Sequence, residues 1–184
     1  MLLNRDHIQK NLRRIVIGVD PAVTHGESSN ETGIVVAGVT GAETGYILED
    51  LSLRGPATLW SQKIVEAYHA WQADRVVAEI NQGGDLVESM LRSLDPMVSY
   101  RGVRATRGKR LRAEPIASLY EQRKVFHIEK FPELEHQMCK FTGKSSVGTD
   151  RLDALVWALT ELFLDSSKPK SRSCPRIRML TIGT

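Results

Sequence analysis

The first half of the chain alternates short apolar segments with turn-forming residues. An apolar, β-branched segment over residues 14–19 ends at Asp20-Pro21 and predicts a buried strand, because proline cannot continue a hydrogen-bonded ladder. Two further apolar segments, 32–40 and 46–53, flank the sequence Gly-Ala-Glu-Thr-Gly and predict a β-hairpin. The chain is therefore expected to open with three strands that pair antiparallel.

After residue 55 the pattern alternates between helix and strand. Pro56 opens a helix expected to end near Ala73, and its predicted buried stripe is Leu59, Ile64, Val65, Tyr68 and Trp71. Strands are predicted at 75–79, 98–103 and 125–128, and helices at about 84–94, 111–124, after Pro132, and at 151–164. Strands that alternate with helices pair in parallel. We therefore predict an α/β fold with a mixed sheet, antiparallel in its first strands and parallel in its later ones, flanked by helices in the ribonuclease H-like order.

The same pattern divides the chain into three parts. Residues 1–13 form an N-terminal extension, residues 14–164 the ribonuclease H-like domain, and residues 165–184 a basic C-terminal tail with little periodicity, expected to be flexible.

Composition indicates one soluble globular domain. The 184 residues are 41% hydrophobic and 26% charged, which is enough to bury a core without disulfide or metal staples. No apolar segment approaches the roughly 20 residues that a membrane helix needs, and the charged N-terminus lacks a secretion signal. Two cysteines, Cys139 and Cys174, are too few for a disulfide framework and indicate a reducing compartment.

Positive charge is concentrated in two segments. Residues 101–112 carry six basic side chains and residues 168–178 carry five, with no acid in either segment. Subtracting these eleven charges from the net charge of +3 leaves the remainder of the chain at −8. This distribution favours a polyanionic partner, and the alternative is a solvated loop followed by a solvated tail.

Acidic residues stand where predicted strands end and where the last helix begins. Asp20 ends the first strand, Glu79 ends the 75–79 strand, and Asp150 and Asp153 lie three residues apart at the start of the last helix. Strand ends are the usual ligand sites of α/β sheets. Oxygen ligands without thiolates or an HExxH pair favour Mg²⁺ or Mn²⁺ over zinc. Two such ions, about 3.5–4 Å apart, can activate a water and stabilise the leaving oxygen of a phosphodiester.

Each acid also has a structural interpretation. Asp20 before proline can start an Asx turn, Glu79 can accept hydrogen bonds from the glycine pair that follows it, and Asp150 or its neighbour can cap the last helix. The predicted buried stripe of that helix comprises Leu152, Leu155, Val156, Leu159 and Phe163. Asp153 lies beside this stripe, so we expect its carboxylate to face a cleft or a cation.

Three sequence stretches resemble the nuclease domain of the large terminase subunit of tailed bacteriophages and gene transfer agents. They are IGVDPA at 17–22, VAEINQGG at 77–84 and DRLDAL at 150–155. The third is the most distinctive, and the resemblance runs from about residue 14 to residue 164.

The resemblance implies roles for the acids and for the protein. Asp20, Glu79 and Asp153 match the metal-binding catalytic acids of that family, and Asp150 matches an accessory acidic position. The family cuts concatemeric DNA during head packaging with divalent metal, which implies two Mg²⁺ or Mn²⁺ ions in this site. It also implies double-stranded DNA, an ATPase motor domain or chain, a small terminase subunit and a portal protein as partners, in the cytoplasm of a bacterial host.

The basic residues complete this hypothesis. Phosphate contacts are predicted for Arg104, Arg107, Lys109 and Arg110, and for Lys144 in the glycine-rich loop that precedes the last helix. Such contacts recognise the charge of the DNA phosphates and not the bases, so they predict cutting with little sequence preference. The chain shows no ATPase motor, because its Gly-Lys-Ser segment lacks the first glycine of a phosphate-binding loop, so translocation is not expected of it.

Two other functions fit the same sequence. A junction-resolving nuclease of the same superfamily would share the acids, but it would prefer branched DNA and act as an obligate dimer. A non-catalytic module that docks DNA or a portal protein would bind normally without the acids. An actin-like ATPase is excluded, because the chain is too short for two such subdomains and lacks a second phosphate-binding loop.

Overall fold

The computed structural model describes residues 5–21, 31–80, 84–142 and 148–164. Its strands are β1 (Leu12–Asp20), β2 (Gly33–Thr40), β3 (Gly45–Asp50), β4 (Arg75–Glu79), β5 (Tyr100–Val103) and β6 (Val125–His127). Its helices are α1 (Arg5–Asn11), α2 (Ala57–Ala70), α3 (Gly84–Leu94), α4 (Lys109–Glu121), α5 (Pro132–Lys140) and α6 (Asp150–Leu159), which a π-helical turn, Thr160–Leu164, extends. In these residues no helix is both long enough and apolar enough to cross a membrane.

The strands of the described residues form one mixed sheet in the order β5-β4-β1-β2-β3-β6. β1 pairs antiparallel with β2, and β2 pairs antiparallel with β3. The later strands β4, β5 and β6 join in parallel, β4 beside β1, β5 beside β4 and β6 beside β3. The predicted change from antiparallel to parallel pairing is confirmed.

Helix α6 lies unusually close to the centre of the sheet. It packs across β1, β2 and β4, and contacts α4 and α5 beside it. Two glycines permit this approach, because a β-carbon would lie 2.1 Å from the Ala154 carbonyl oxygen at Gly18 and 1.9 Å from the Asp150 carbonyl oxygen at Gly33. The continuous burial of β1 from Arg14 to Val19 and along most of β2 means that both faces of the sheet are covered.

Several predicted boundaries and contacts are wrong. Helix α4 begins at Lys109, two residues before the predicted start, so part of the basic segment is helical. Leu59, predicted to be buried, is 47% exposed, whereas its neighbour Trp60 lies in the core. The rest of the predicted stripe is confirmed, because Ile64 and Trp71 are buried and Val65 and Tyr68 are partly buried against the core. A short helix, α1, occupies the segment for which no element was predicted. Residues 165–184, the predicted tail, lie outside the described part of the chain.

Candidate active site

Two neighbouring strands and one helix bring the four predicted acids to the same edge of the sheet. β1 and β4 are parallel neighbours, with Val19 beside Ala78, so Asp20 and Glu79 extend from adjacent strand ends. Asp150 and Asp153 occupy the first turn of α6, which the close packing at Gly33 holds against that edge.

The pKa of Asp20 reflects its burial and the negative charge around it. Its burial, and then the charges of Asp153 and Glu79, raise its pKa to about 8, with a smaller contribution from Asp150 and an opposing effect of Lys109. Desolvation disfavours the ionised carboxyl, and like charges nearby disfavour it further. Burial likewise raises the pKa of Asp150. The negative charge of the four acids therefore exceeds the positive charge that Lys109 supplies.

Lys109 supplies the closest cation. Its Nζ donates hydrogen bonds to Asp153 Oδ2 at 2.5 Å and to Thr149 Oγ1 at 2.8 Å, and the Thr149 hydroxyl donates to the same Asp153 oxygen at 2.8 Å. Burial alone would lower the pKa of Lys109, but the bond to Asp153 and the charges of Asp153, Asp20 and Asp150 outweigh it and raise that pKa. Lys109 is therefore protonated throughout the physiological range.

Arg112 is a second cation, one helical turn further along α4. Its Nη1 lies 3.3 Å from Glu79 Oε2, and its Nη2 lies 3.7 Å from Asp153 Oδ1. The guanidinium carbon lies 4.5 Å from the centre of the Trp157 ring, whose Nε1 donates to Glu79 at 3.2 Å. Stacking on the indole face adds to the charge interaction and fixes the plane of the guanidinium.

These contacts confirm that Asp153 faces a cation, although the cation is a side chain. Among the described residues, no three carboxylate, imidazole or thiol groups lie close enough to hold a metal ion as they stand. Lys109 and Arg112 compensate the acids instead. A buried carboxylate such as Asp153, which is 5% exposed, requires a compensating charge of this kind.

Asp150 does not act as the helix cap. The N-cap of α6 is Thr149, but its hydroxyl bonds Asp153 and does not cap the first-turn amides. Gln137 of α5 supplies an acceptor, because its Oε1 accepts a hydrogen bond from the Leu152 backbone N–H at 3.1 Å. Asp150 in the first turn still interacts favourably with the helix dipole.

The predicted phosphate-binding residues fall into two groups. Arg104, Arg107 and Arg110 are exposed, as contact with a duplex requires, and Arg110 forms an exposed ion pair with Glu114 at 3.0 Å on the same helix. Lys109 instead points into the acidic site. Lys144 lies outside the described residues.

Arg101, a member of the same basic segment, serves a structural ion cluster. Glu161 is 3% exposed and receives hydrogen bonds from Arg14, from Arg75 at 3.1 Å and from Arg101 at 2.7 Å. These residues come from β1, β4, β5 and the π-helical turn, so the cluster ties the end of α6 to three strands.

Sequence reasoning did not identify Arg112, Thr149, Trp157, Gly18 or Gly33 as parts of the site. Gly18 carried a usable signal, since it interrupts a β-branched strand where a side chain would be expected. Arg112 was counted only as one basic residue among six. Its position three residues after Lys109 matters because α4 is already helical there.

The chain matches known proteins over most of its length. A model of the terminase RNaseH-like domain family matches residues 17–162, which include all four acids. No curated protein matches the chain. The large terminase nuclease of thermophilic phage G20c has a TM-score of 0.61 and 15% identity, covering 81% of this chain and 82% of that one. The same nuclease has been solved with bound zinc and with bound cobalt.

Two further structures share the fold. The human cytomegalovirus terminase nuclease domain, solved after a manganese soak with an inhibitor bound, has a TM-score of 0.61 and 14% identity over 90% of this chain and 89% of that one. The HK97 bacteriophage large terminase has a TM-score of 0.61 and 12% identity over 87% of this chain, but only 43% of its own length. The predicted ribonuclease H-like fold is confirmed, and the chain belongs to the terminase RNaseH-like domain family.

Proposed function

We propose that the protein is a metal-dependent DNA endonuclease that cuts concatemeric DNA during head packaging. The observation that supports this most directly is the convergence of Asp20, Glu79, Asp150 and Asp153 at one edge of the sheet, with a pKa of about 8 for Asp20. Perturbed carboxylates concentrated in one place mark functional sites more often than structural ones. The family match and the resemblance to terminase nucleases support DNA as the substrate.

The donor set fits divalent metal. It consists of hard oxygen ligands from three separate elements, and the four acids outnumber the two cations, Lys109 and Arg112, that lie against them. Asp20, Glu79 and Asp153 would hold two ions, with Asp150 as an accessory ligand or a support for its neighbour. Bound Mg²⁺ or Mn²⁺ would supply Lewis acidity to the phosphodiester and lower the pKa of a water nucleophile.

The chain's own residues orient this site. Trp157 donates a hydrogen bond to Glu79 and carries the stacked Arg112, which keeps both side chains in one orientation. Arg112 lies between Glu79 and Asp153 and offers a fixed positive charge to the extra negative charge that develops during phosphoryl transfer. Thr149 holds Asp153 through its hydroxyl.

The substrate would lie over the exposed basic surface beside the site. Arg104, Arg107 and Arg110 precede or open α4 and would neutralise backbone phosphates, so cutting would show little sequence preference. HK97 large terminase extends well beyond the part that this chain matches. An ATPase motor, a small terminase subunit and a portal protein are the proposed partners of this chain.

The experiment that tests this function is plasmid nicking with Mg²⁺, with Mn²⁺ and with EDTA, using Asp153→Asn to identify a contaminating nuclease. We expect nicking only with a divalent ion and only by the parent protein. Full cleavage in EDTA would contradict the metal mechanism. Tight DNA binding without any cleavage would favour the docking module, and a strong preference for four-way junctions over linear duplex would favour the resolvase.

A further inference from the structure

Two polar groups of the chain already occupy one oxygen of the Asp153 carboxylate. Its Oδ2 accepts hydrogen bonds from the Lys109 ammonium and the Thr149 hydroxyl, whereas Arg112 Nη2 lies 3.7 Å from Oδ1, beyond hydrogen-bond distance. A carboxylate oxygen offers about two lone-pair positions, so Oδ2 has no position left for a metal ion. A divalent ion that binds Oδ2 must therefore displace one of the two, and it displaces the ammonium because like charges repel.

The two cations differ in their freedom to leave. Arg112 is 11% exposed and is held by Trp157 and two carboxylates, and its buried Nε has no hydrogen-bond partner among the described residues. Lys109 is 39% exposed and lies in the first turn of α4, at the end of a flexible four-carbon side chain. Only Lys109 can swing into solvent without disturbing the packing of α4.

We propose that Lys109 is the resident counter-ion of this site: its ammonium holds Asp153 in the metal-free protein and yields that carboxylate to a divalent ion. This inference rests on the proposed function. An ammonium and a divalent ion in van der Waals contact would repel strongly in a partly buried site, so the two states exclude each other. Lys109 thus sets the metal affinity of the site and prevents its acids from repelling one another when no metal is bound.

The test is calorimetric titration of the full chain with Mn²⁺ alone, without DNA. Lys109→Met removes the charge and keeps the length of the side chain, and we expect it to bind Mn²⁺ about tenfold more tightly than the parent. Lys109→Arg keeps the charge and should stay within about threefold of the parent. Lys124→Met makes the same chemical change at an exposed position just after α4 and should not alter the affinity.

Metal-free stability gives a second readout. Lys109→Met should melt at a lower temperature than the parent without metal and should gain more from saturating Mn²⁺, because the ion replaces the missing charge. If Lys109→Met is not folded by circular dichroism, Lys109→Gln retains a neutral donor for Asp153 and serves in its place.

The outcomes separate the inference from the function on which it rests. Mn²⁺ binding by the parent with equal or weaker binding by the neutral variants would overturn the counter-ion role and leave the metal site standing. Absence of Mn²⁺ binding in the parent and in every variant would contradict the metal site itself.

Discussion

Gly33 on β2 lies directly against Asp150 at the start of α6. A β-carbon at Gly33 would come within 1.9 Å of the Asp150 carbonyl oxygen and 3.1 Å of the Ala154 side chain. Because the first turn of α6 carries two of the four acids, this contact fixes how close they come to Asp20 and Glu79. The geometry of the site thus depends on a glycine, a residue that has no side chain to take part in binding or catalysis.

Gly33→Ala should move the two acids of α6 away from Asp20 and Glu79. Backbone cannot move aside as a side-chain tip can, so α6 must shift, at a cost of about 1–3 kcal/mol or more in the free energy of unfolding. We expect plasmid nicking to fall at least tenfold at a temperature where circular dichroism shows the variant folded.

Gly41→Ala is the matched control for this substitution. Gly41 lies in the turn after the other end of β2, and a β-carbon there meets no atom within 4 Å. The Gly41→Ala variant should nick plasmid DNA at the rate of the parent protein. Equal activity in the two alanine variants would show that the approach of α6 does not govern the site.

Substitutions of the four acids should differ in their effect on nicking, according to the role of each acid. Asp153→Asn, Asp20→Asn and Glu79→Gln preserve shape but remove the charge that a hard cation requires, so nicking should fall by orders of magnitude. Asp150→Asn should have a milder effect if this position supports its neighbour. The measurement is the initial rate of plasmid nicking with Mn²⁺, together with DNA affinity without metal, which should hold or rise because a repulsive charge has been removed.

Glu88→Gln is the control for the acid series, since the side chain of Glu88 is 46% exposed on α3 and pairs with Arg92 on the same helix. It should leave nicking unchanged. Parent-like cutting by Asp153→Asn together with an inactive Asp150→Asn would reverse our ranking of the two acids of α6.

Much of the fold and the positions of the acids could be predicted from sequence because both depend on local patterns. The apolar segment before Asp20 and that before Glu79 each identify a strand and its end. The parallel alignment of the two strands then brings the carboxylates together without further information.

The cations of the site could not be predicted in this way. Lys109 and Arg101 belong to one basic segment, yet Lys109 binds Asp153 and Arg101 binds Glu161 in a structural cluster. Their partners lie more than forty residues away in sequence, so the destination of each side chain depends on tertiary packing. Charge density along the sequence identified the segment but not which of its members face solvent.

The structure therefore sharpens the prediction for DNA binding. Replacing Arg104, Arg107 and Arg110 with alanine should weaken binding to all sequences alike and lower the log–log salt slope by roughly 0.9 per lost contact. Adding Lys109→Ala should change the slope little without metal, because Asp153 already holds this ammonium. Fluorescence anisotropy across a range of salt concentrations measures both effects.

Arg101→Ala is the control for this series, because its charge is committed to Glu161. It should lower thermal stability, since it removes one partner of a buried carboxylate, but should leave the salt slope unchanged. An unchanged slope in the triple variant would assign the exposed arginines to an ordinary solvated surface.

The stability of the metal-free protein should depend on pH through Asp20. The pKa of this carboxyl is about 8 in the folded protein and 3.8 in the absence of perturbation, so between these values the folded state holds a proton that unfolding releases. Stability falls with rising pH wherever the folded state binds more protons. The contribution of Asp20 is therefore most favourable below pH 4 and is lost progressively as the pH rises to about 8.

Thermal unfolding at pH 5.5 and pH 8.5, with and without saturating Mn²⁺, tests this prediction. The first pH lies between the unfolded pKa of 3.8 and the folded pKa of about 8, and the second lies just above the folded pKa. Without metal, the melting temperature should decrease between the two pH values, and Asp20→Asn should reduce that decrease because asparagine does not titrate. Mn²⁺ binds the ionised carboxylate, so its stabilising effect should be larger at the higher pH. Glu88→Gln should retain the pH dependence of the parent. If the parent and Asp20→Asn lose the same stability between these pH values, the pKa of Asp20 is not raised in the folded protein and another group carries the pH dependence.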